Sequence, residues 1–473
     1  MLAKNNKYDL VIVGSGLSGA AAATQASLNG LKTLVLEKGH STGGTGNYVE
    51  GVFAVESKLQ KQLGIKITQK EVLNEEKSWT HSLADMEVWR EYVSQSAKNI
   101  EWLMKNGVKI SKMKTLGSGI NTWHLFEGHG NEAINKGLLP TCEKNGGEVI
   151  TSAKAIQLII DKQGRIQGIK IQNLENKKEQ FIETKNIILA TGGYLNNSNM
   201  LDSNSNHNSE RIIPVNSGKN DGDGLKLAWK VGAKKFGMGT IMIFGGQVYD
   251  PTVPGYRNWM RQINRAATHE AVLWVNETGE RFADENCTDL WSDAGNTLIR
   301  QEKVFAIIDQ SQINHLIEHS FKGSFDYNNL QKDIIDDLSN RKSYLTKANS
   351  IKELAEKLNL PDLVKNVERY NFLADIKKDY DFGKSKEYLH KIEDGVVYAI
   401  ELGVGAFCTL GGLRTDHKNR VLNNKGKVIE GLYAIGSDGS ACLVGDTYDV
   451  KVPGSEAGYC IYSGRNAVKN LIK

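Results

Sequence analysis

The chain has no Cys-x-x-Cys pair and no long apolar run, and each absence closes a class of function. Its five cysteines, Cys142, Cys287, Cys408, Cys442 and Cys460, are odd in number and scattered. That pattern fits a reducing compartment and leaves no thiolate set for zinc, an iron–sulfur cluster or an attached c-type haem, so no metal is expected. No stretch approaches the roughly 18 to 20 apolar residues of a membrane span, and the run from Leu10 to Val13 is too short for a signal peptide. A cytoplasmic protein without membrane insertion is the expectation. Lysine and arginine number 59 against 55 acids, a net charge of +4 that is scattered along the chain and argues against a nucleic-acid partner. With 473 residues, 40% of them hydrophobic, the chain can bury a core large enough for two domains. No internal repeat of useful period occurs.

What is present is concentrated near the N-terminus. The apolar run Tyr8 to Val13 leads into Gly14-Ser15-Gly16-Leu17-Ser18-Gly19, then a small-residue helix over Ala20 to Asn29, then a strand Lys32 to Leu36 ending on Glu37. In such a unit Gly14 permits the tight turn, Gly16 lets the backbone approach a pyrophosphate, and Gly19 lets helix and sheet pack closely. Free N–H groups at the helix N-terminus seat the phosphates. Glu37 stands close to the expected distance of about 20 positions beyond the turn, where a carboxylate takes both ribose hydroxyls and disfavours a 2′-phosphate. An ADP-containing dinucleotide is the expected ligand.

Further along, Gly39 to Asn47 is too rich in glycine and hydroxyls for regular structure and suits a second cofactor loop. Residues 67 to 107 repeat Trp79, Met86, Trp89, Val93, Ile100 and Leu103 at helical spacing and predict helices packed on the core. The segment Gly147 to Ile171 alternates like a β-meander. It is followed by a short strand, Asn186 to Ala190, that runs into Thr191-Gly192-Gly193, the ending expected where a strand abuts a flat cofactor. Asp221-Gly222-Asp223-Gly224 precedes a helix over Leu225 to Val231. Between about 244 and 407 the glycine turns stop and longer polar helices, such as Lys352 to Leu358 and Leu363 to Ala374, take over. The predicted division is therefore a first domain from residues 1–243 and 408–473, with 244–407 inserted.

These motifs together resemble the flavoproteins of the fumarate reductase and succinate dehydrogenase superfamily, which includes soluble fumarate reductases and 3-ketosteroid dehydrogenases. The resemblance is carried by Val11 to Gly19, Glu37, Thr42-Gly43-Gly44, Ala190 to Gly193, Gly222-Asp223-Gly224, Val275-Asn276 with Gly279 to Phe282, Gly411-Gly412-Leu413 and Gly431 to Ala434, in the family's order. It implies a fold of class α/β: a Rossmann-type FAD-binding domain with a β-meander and an inserted α+β capping, substrate-bearing domain that acts as a lid. It also implies FAD. The ADP half falls to Gly14, Ser15, Gly16, Gly19, Glu37 and Lys38, with the backbone of Ala155 at the adenine. The flavin half falls to Ser41, Gly43, Gly44, Thr45, Asn47, Ala190, Thr191, Gly192, Asp223, Ser455 and Ala457. The family's Gly-Glu contact to the ribityl chain reads Gly436-Ser437-Asp438 here, so that contact is expected to be altered or moved to Asp438. Covalently flavinylated relatives carry a histidine after the Gly43-Gly44 loop; Thr45-Gly46-Asn47 stands there, implying non-covalent FAD. The helix opening at Pro453 to Gly458 directs its N-terminal dipole at the flavin.

The residues that clamp a dicarboxylate in fumarate reductases are missing. The family's His-Thr-Met-Gly-Gly reads Cys408-Thr409-Leu410-Gly411-Gly412, an expected arginine is Asp289, the relay region reads Arg265-Ala266-Ala267-Thr268-His269, and a C-terminal Asn-Arg aligns with Val450-Lys451. In their place, Tyr448 resembles the phenol that ketosteroid dehydrogenases use for proton transfer; a structural role packed on the flavin is the alternative. His124, in Thr122 to Gly130, is the second catalytic candidate, against a satisfied core histidine. Cys408 has apolar neighbours and reads as a wall residue, and His315 and His319 as solvent-facing.

The resemblance implies an FAD-dependent oxidoreductase that reduces, or forms, a C=C bond conjugated to a carbonyl or carboxyl group, with a side-chain proton donor, and that is not a true fumarate reductase. Its partners would be a small unsaturated substrate and an external electron donor: a reduced nicotinamide, a free reduced flavin or a redox protein. An FAD-binding electron-transfer subunit, or a flavin oxidase or dehydrogenase of another C–H substrate, stays open.

Overall fold

The computed structural model describes residues 2–115, 119–323, 325–448 and 451–472. The chain forms two units. One comprises the residues up to Asn206, Asn216–Met242 and the residues from Cys408 on; the other comprises His207–Val215 and Ile243–Phe407.

The first unit is built on a six-stranded sheet whose order is Arg420–Leu422, Val428–Ala434, Ile187–Leu189, Leu10–Val13, Thr33–Leu36 and Glu148–Ile150. All neighbours run parallel except the first pair. The two central strands, Leu-Val-Ile-Val and Ile-Ile-Leu, are buried throughout, as strands covered on both faces must be. Register places Val13 beside both Leu36 and Leu189, and Leu189 beside Ala434. The Gly14, Glu37, Ala190 and Ile435 turns therefore leave from one edge, the carboxyl ends of the strands, where open α/β sheets bind ligands.

Helix Leu17–Leu28 packs against the C-terminal helix Ser455–Leu471 through small residues. A Cβ on Gly464 would stand 2.6 Å from the Ser18 carbonyl oxygen, and one on Gly19 2.0 Å from that of Gly14, so both contacts need glycine. The meander consists of Ala153–Ile160, Ile166–Asn173 and Glu179–Glu183. The Val149-Ile150 pair expected to open it instead joins the parallel sheet beside Leu34–Leu36, because its apolar residues find a buried edge there. Helices Gln69–Trp79 and Met86–Lys105 form as predicted, the first opened by a capping box from Thr68 and Glu71.

The second unit centres on a mixed sheet in which the long strand Val397–Thr409 pairs with Val304–Asp309, Leu345–Ala348 and Ile241–Val248. Ile212–Pro214 also pairs with it, in parallel, which is why His207–Val215 belongs to this unit and not, as the sequence boundary at 243 implied, to the first. Helices Ile351–Leu358 and Leu363–Asp375 cover one core with Leu273, Val275, Ile307 and Ala399. Below the same core, Arg281 grips the fully buried Glu285 through two bonds of 2.9 Å and Asp379 through one of 2.8 Å, while Lys384 reaches Glu285 at 3.1 Å. Among the described residues no helix is long and apolar enough to cross a membrane.

Candidate functional site

The glycine turn is locked from behind and open in front. Gly14 has φ +110°, donates its N–H to the Leu36 carbonyl at 2.8 Å, and has no room for a Cβ, which would lie 2.2 Å from the Ala190 oxygen. Within 4 Å a Cβ on Gly16 would meet only the Gly43 oxygen, at 3.7 Å, so the space over Gly16 is free for a ligand. No side chain caps the helix that begins at Leu17. Its first N–H groups, with the dipole behind them, form an anion seat.

Glu37 is buried and held in position. Its Oε2 accepts from the Ser15 hydroxyl at 2.7 Å and its Oε1 from the Gly39 N–H at 2.7 Å, with Lys219 Nζ 3.8 Å away. Ser15 Oγ in turn accepts from the Gly43 N–H at 3.1 Å, so the second loop is tied to the first. In that loop Gly43 has φ +96°, Asn47 Nδ2 donates to the Thr42 carbonyl at 2.9 Å, and Thr45 Oγ1 donates to Asn220 Oδ1 at 2.9 Å. Ser41 is exposed, its carbonyl accepting from Lys219 at 3.2 Å. The strand bearing Ala155 begins where Ala153 N–H donates to the Glu37 carbonyl at 2.9 Å. Lys38 and Asp223 pair with each other at 3.2 Å and with Asp221 and Lys154 at 2.6 and 2.9 Å. Both stand at the loop cluster with their charges already matched.

Asp438 corrects one expectation. Its carboxylate is fully enclosed and accepts the Thr191 N–H at 2.6 Å, the Thr191 hydroxyl at 2.8 Å and the Gly193 N–H at 2.8 Å. It holds the Ala190 to Gly193 turn and does not reach an open face, so it is a positioning residue and not the ribityl contact. Gly192, at φ +83°, is further fixed by Asn220 Nδ2, which donates to its carbonyl at 2.5 Å. The C-terminal helix starts after Gly454, at φ +83°, with no side-chain cap; Ser455 is buried and Ala457 half-buried. Beside them Glu456 is buried with a single hydrogen bond, from the Ser437 hydroxyl at 3.3 Å, and burial pushes its carboxyl up to about 7.

His124 is the second correction. Thr122 to Phe126 is not a loop: Trp123–Phe126 is the middle strand between Gly51–Phe53 and Ile110–Lys114. His124 is fully buried in it, with Nδ1 3.0 Å from the Thr122 carbonyl and Nε2 2.7 Å from the Ser57 hydroxyl, and burial lowers its pKa. An imidazole with both nitrogens engaged and no open face is a core histidine, not a proton shuttle. Tyr448 is buried, at 7% exposure, at the end of a loop anchored by the Trp89 indole on the Leu443 carbonyl at 2.9 Å and by Thr240 on that of Gly445 at 3.4 Å. Cys408 is buried against Met242 Sδ at 3.8 Å and its thiol is pushed up by burial, so it is inert. Val450, aligned with a family substrate residue, lies outside the described residues.

In the second unit Asp289 pairs with Lys322 at 2.7 Å, and Arg281, from the family motif, is consumed by the buried ion cluster. His315 and His319 are exposed. Three features escaped the sequence reading. Asn220 and Glu456 carry no motif that marks them, and the ring cluster around Phe244 gathers residues more than 160 positions apart. Asn220 had one signal, its place just ahead of the Asp221 to Gly224 turn.

This constellation suits FAD: two uncapped helix N-termini, a carboxylate set at the ribose end, and a glycine turn open on one side. The family described as FAD binding domain matches residues 9–445. The chain is 43% identical to the vinyl phenol reductase of Lactiplantibacillus plantarum, over 98% of this chain and 96% of that one. It is 28% identical to the NADH:fumarate oxidoreductase of Klebsiella pneumoniae over 91% of this chain, which spans 44% of that longer relative. Among solved structures, 3-ketosteroid Δ1-dehydrogenase from Sterolibacterium denitrificans superposes with a TM-score of 0.81 at 18% identity, covering 99% of both chains. 3-Ketosteroid-Δ4-(5α)-dehydrogenase from Rhodococcus jostii follows with 0.73 at 22% identity, covering 100% of this chain and 98% of that one.

Proposed function

The chain belongs to the FAD binding domain family, in the superfamily of fumarate reductase and succinate dehydrogenase flavoproteins, and on that premise we propose that it reduces the vinyl C=C bond of a hydroxyaryl alkene. What carries the proposal is identity of 43% along nearly the whole of both chains with a vinyl phenol reductase. Asp289, Thr268 and Cys408, standing where fumarate reductases clamp carboxylates, support a substrate that is not a dianion.

FAD is held without a covalent bond in this reading, by the anion seat at Leu17, by Glu37 and by the C-terminal helix. When bound it supplies the hydride. The chain supplies the proton, for which Tyr448 is the assigned donor, and an external reductant restores the electrons: a nicotinamide, a free flavin or a protein. The second unit serves as the substrate-binding domain. A reducing cytoplasm is the assigned compartment, supported by five free cysteines.

The test is anaerobic mixing of the reduced holoprotein with 4-vinylphenol, an enone, an aryl enoate and fumarate, following flavin reoxidation. Fast reoxidation by 4-vinylphenol and slow reoxidation by fumarate is expected; the reverse order sinks the reading. Peroxide formation in air with no reduction of any alkene points to an oxidase instead. Tyr448→Phe should slow the alkene half-reaction by roughly 10² to 10⁴ and leave reduction by the external donor unchanged. Acid precipitation should release the flavin into the supernatant.

A further inference from the structure

The second unit contains a cluster of six rings. Phe244 stacks on Phe407 at 4.3 Å and 28° and meets Trp259 edge-on at 4.4 Å; Trp259 and Trp291 are 5.8 Å apart. His269 closes the group, with edge contacts to Trp259 and Trp291 at 6.4 Å each and to Phe325 at 5.1 Å. Phe244 is buried, whereas Trp259, His269, Trp291, Phe325 and Phe407 all keep part of their surface open. Partly open rings meeting edge-to-face suit a planar aromatic guest, which finds both faces and edges to contact.

The hydrogen bonds of His269 determine which of its nitrogens is free. The Thr268 hydroxyl donates to the Asn264 carbonyl at 2.8 Å. Its oxygen is therefore the acceptor for His269 Nδ1, 2.8 Å away, so Nδ1 carries the proton and Nε2 keeps its lone pair. Among the described residues no hydrogen bond engages Nε2. Charged neighbours keep the ring neutral: burial, then Arg265 one turn earlier on the same helix, then Lys322, lower its pKa to about 4. Nearby carboxylates do not compensate. Glu270 accepts from Tyr327 and Ser320, both at 2.8 Å, and Asp289 is taken by Lys322.

We propose that His269 Nε2 accepts the hydroxyl of a phenolic substrate whose ring lies against this cluster, making His269 the residue that selects a para-hydroxyaryl alkene. The inference deepens the proposed reaction and rests on it for the chemistry. A neutral imidazole nitrogen that keeps its lone pair accepts the O–H of a phenol, and a ring whose pKa is held at about 4 leaves that phenol, pKa about 10, protonated.

Binding separates this proposal from the reaction itself. The oxidised holoprotein is titrated with 4-ethylphenol and with ethylbenzene, following the fluorescence of the tryptophans. The native protein should prefer the phenol by about tenfold or more, the worth of one hydrogen bond to a group otherwise left unpaired. His269→Phe, which keeps a ring and removes the acceptor, should abolish that preference while binding ethylbenzene as before. Should this variant fail to retain FAD, His269→Met reads the same ratio. An unchanged preference in the variant overturns the proposal even if 4-vinylphenol is turned over. Conversely, a preference that depends on His269 in a protein that does not reduce 4-vinylphenol leaves the phenol site standing and removes the proposed reaction.

Discussion

Two pairs of buried carboxylates, one pair in each unit, are satisfied in opposite ways. In the first, Asp438 is satisfied by two main-chain N–H groups and a hydroxyl, and Glu456 by one hydroxyl, with no ion pair for either among the described residues. In the second, Glu285 and Asp379 lie among Arg281 and Lys384. Neutral donors aim a turn without adding a countercharge that would compete for a bound anion. A closed ion cluster aims nothing at a ligand; it pins distant segments together, and breaking it leaves an uncompensated charge in a dry place. Asp438 and Glu456 thus shape the turns of the first unit, whereas Glu285 and Asp379 hold a core of the second.

The largest effect that would sharpen the contrast is Arg281→Met. Leaving Glu285 and Asp379 beside a lone Lys384 should cost about 3–5 kcal/mol. The loss should show as early thermal unfolding and proteolysis within residues 243–407, with FAD affinity of the surviving folded protein unaltered. Next is Asp438→Asn, where an amide NH₂ replaces one acceptor and faces N–H groups. The cost is about 1–3 kcal/mol, read as a roughly 10- to 100-fold weaker FAD dissociation constant. Equal damage to both units would break the comparison. Glu37→Ala should weaken FAD by a similar or smaller amount, about 1.5–3 kcal/mol if the carboxylate takes ribose hydroxyls, and an unchanged constant would detach Glu37 from the ligand.

The last effect is spread over pH and concerns Glu456. Its folded pKa of about 7 lies above the ordinary glutamate value, so the folded protein binds this proton more tightly than the unfolded chain does. Its contribution to stability is therefore greatest in acid and falls as pH rises from about 4.5 to about 7, then stays flat. Glu456→Gln should remove that decline, worth about 3 kcal/mol at pH 8. Denaturation midpoints measured between pH 5 and 8 would show it, and parallel profiles for both proteins would mean the carboxyl is hydrated.

The sequence by itself determined the dinucleotide half of this protein. Gly14, Gly19 and the Thr191-Gly192-Gly193 turn are legible because backbone demands are local: a positive φ or a contact with no room for a Cβ leaves glycine as the residue, and it is written at that position. Strand order and the shared carboxyl edge came from the register of the folded sheet. Only the tertiary structure decided what the side chains do. Asp438 was adjacent to the expected contact and turned inward to Thr191, 247 positions away in sequence. His124 looked like a loop histidine until strands on both sides enclosed it. Phe244 meets Phe407, and Trp259 joins them to His269, because separate segments of one sheet and its helices converge. Such contacts depend on which distant residue fills the facing space, and no spacing along the chain encodes that.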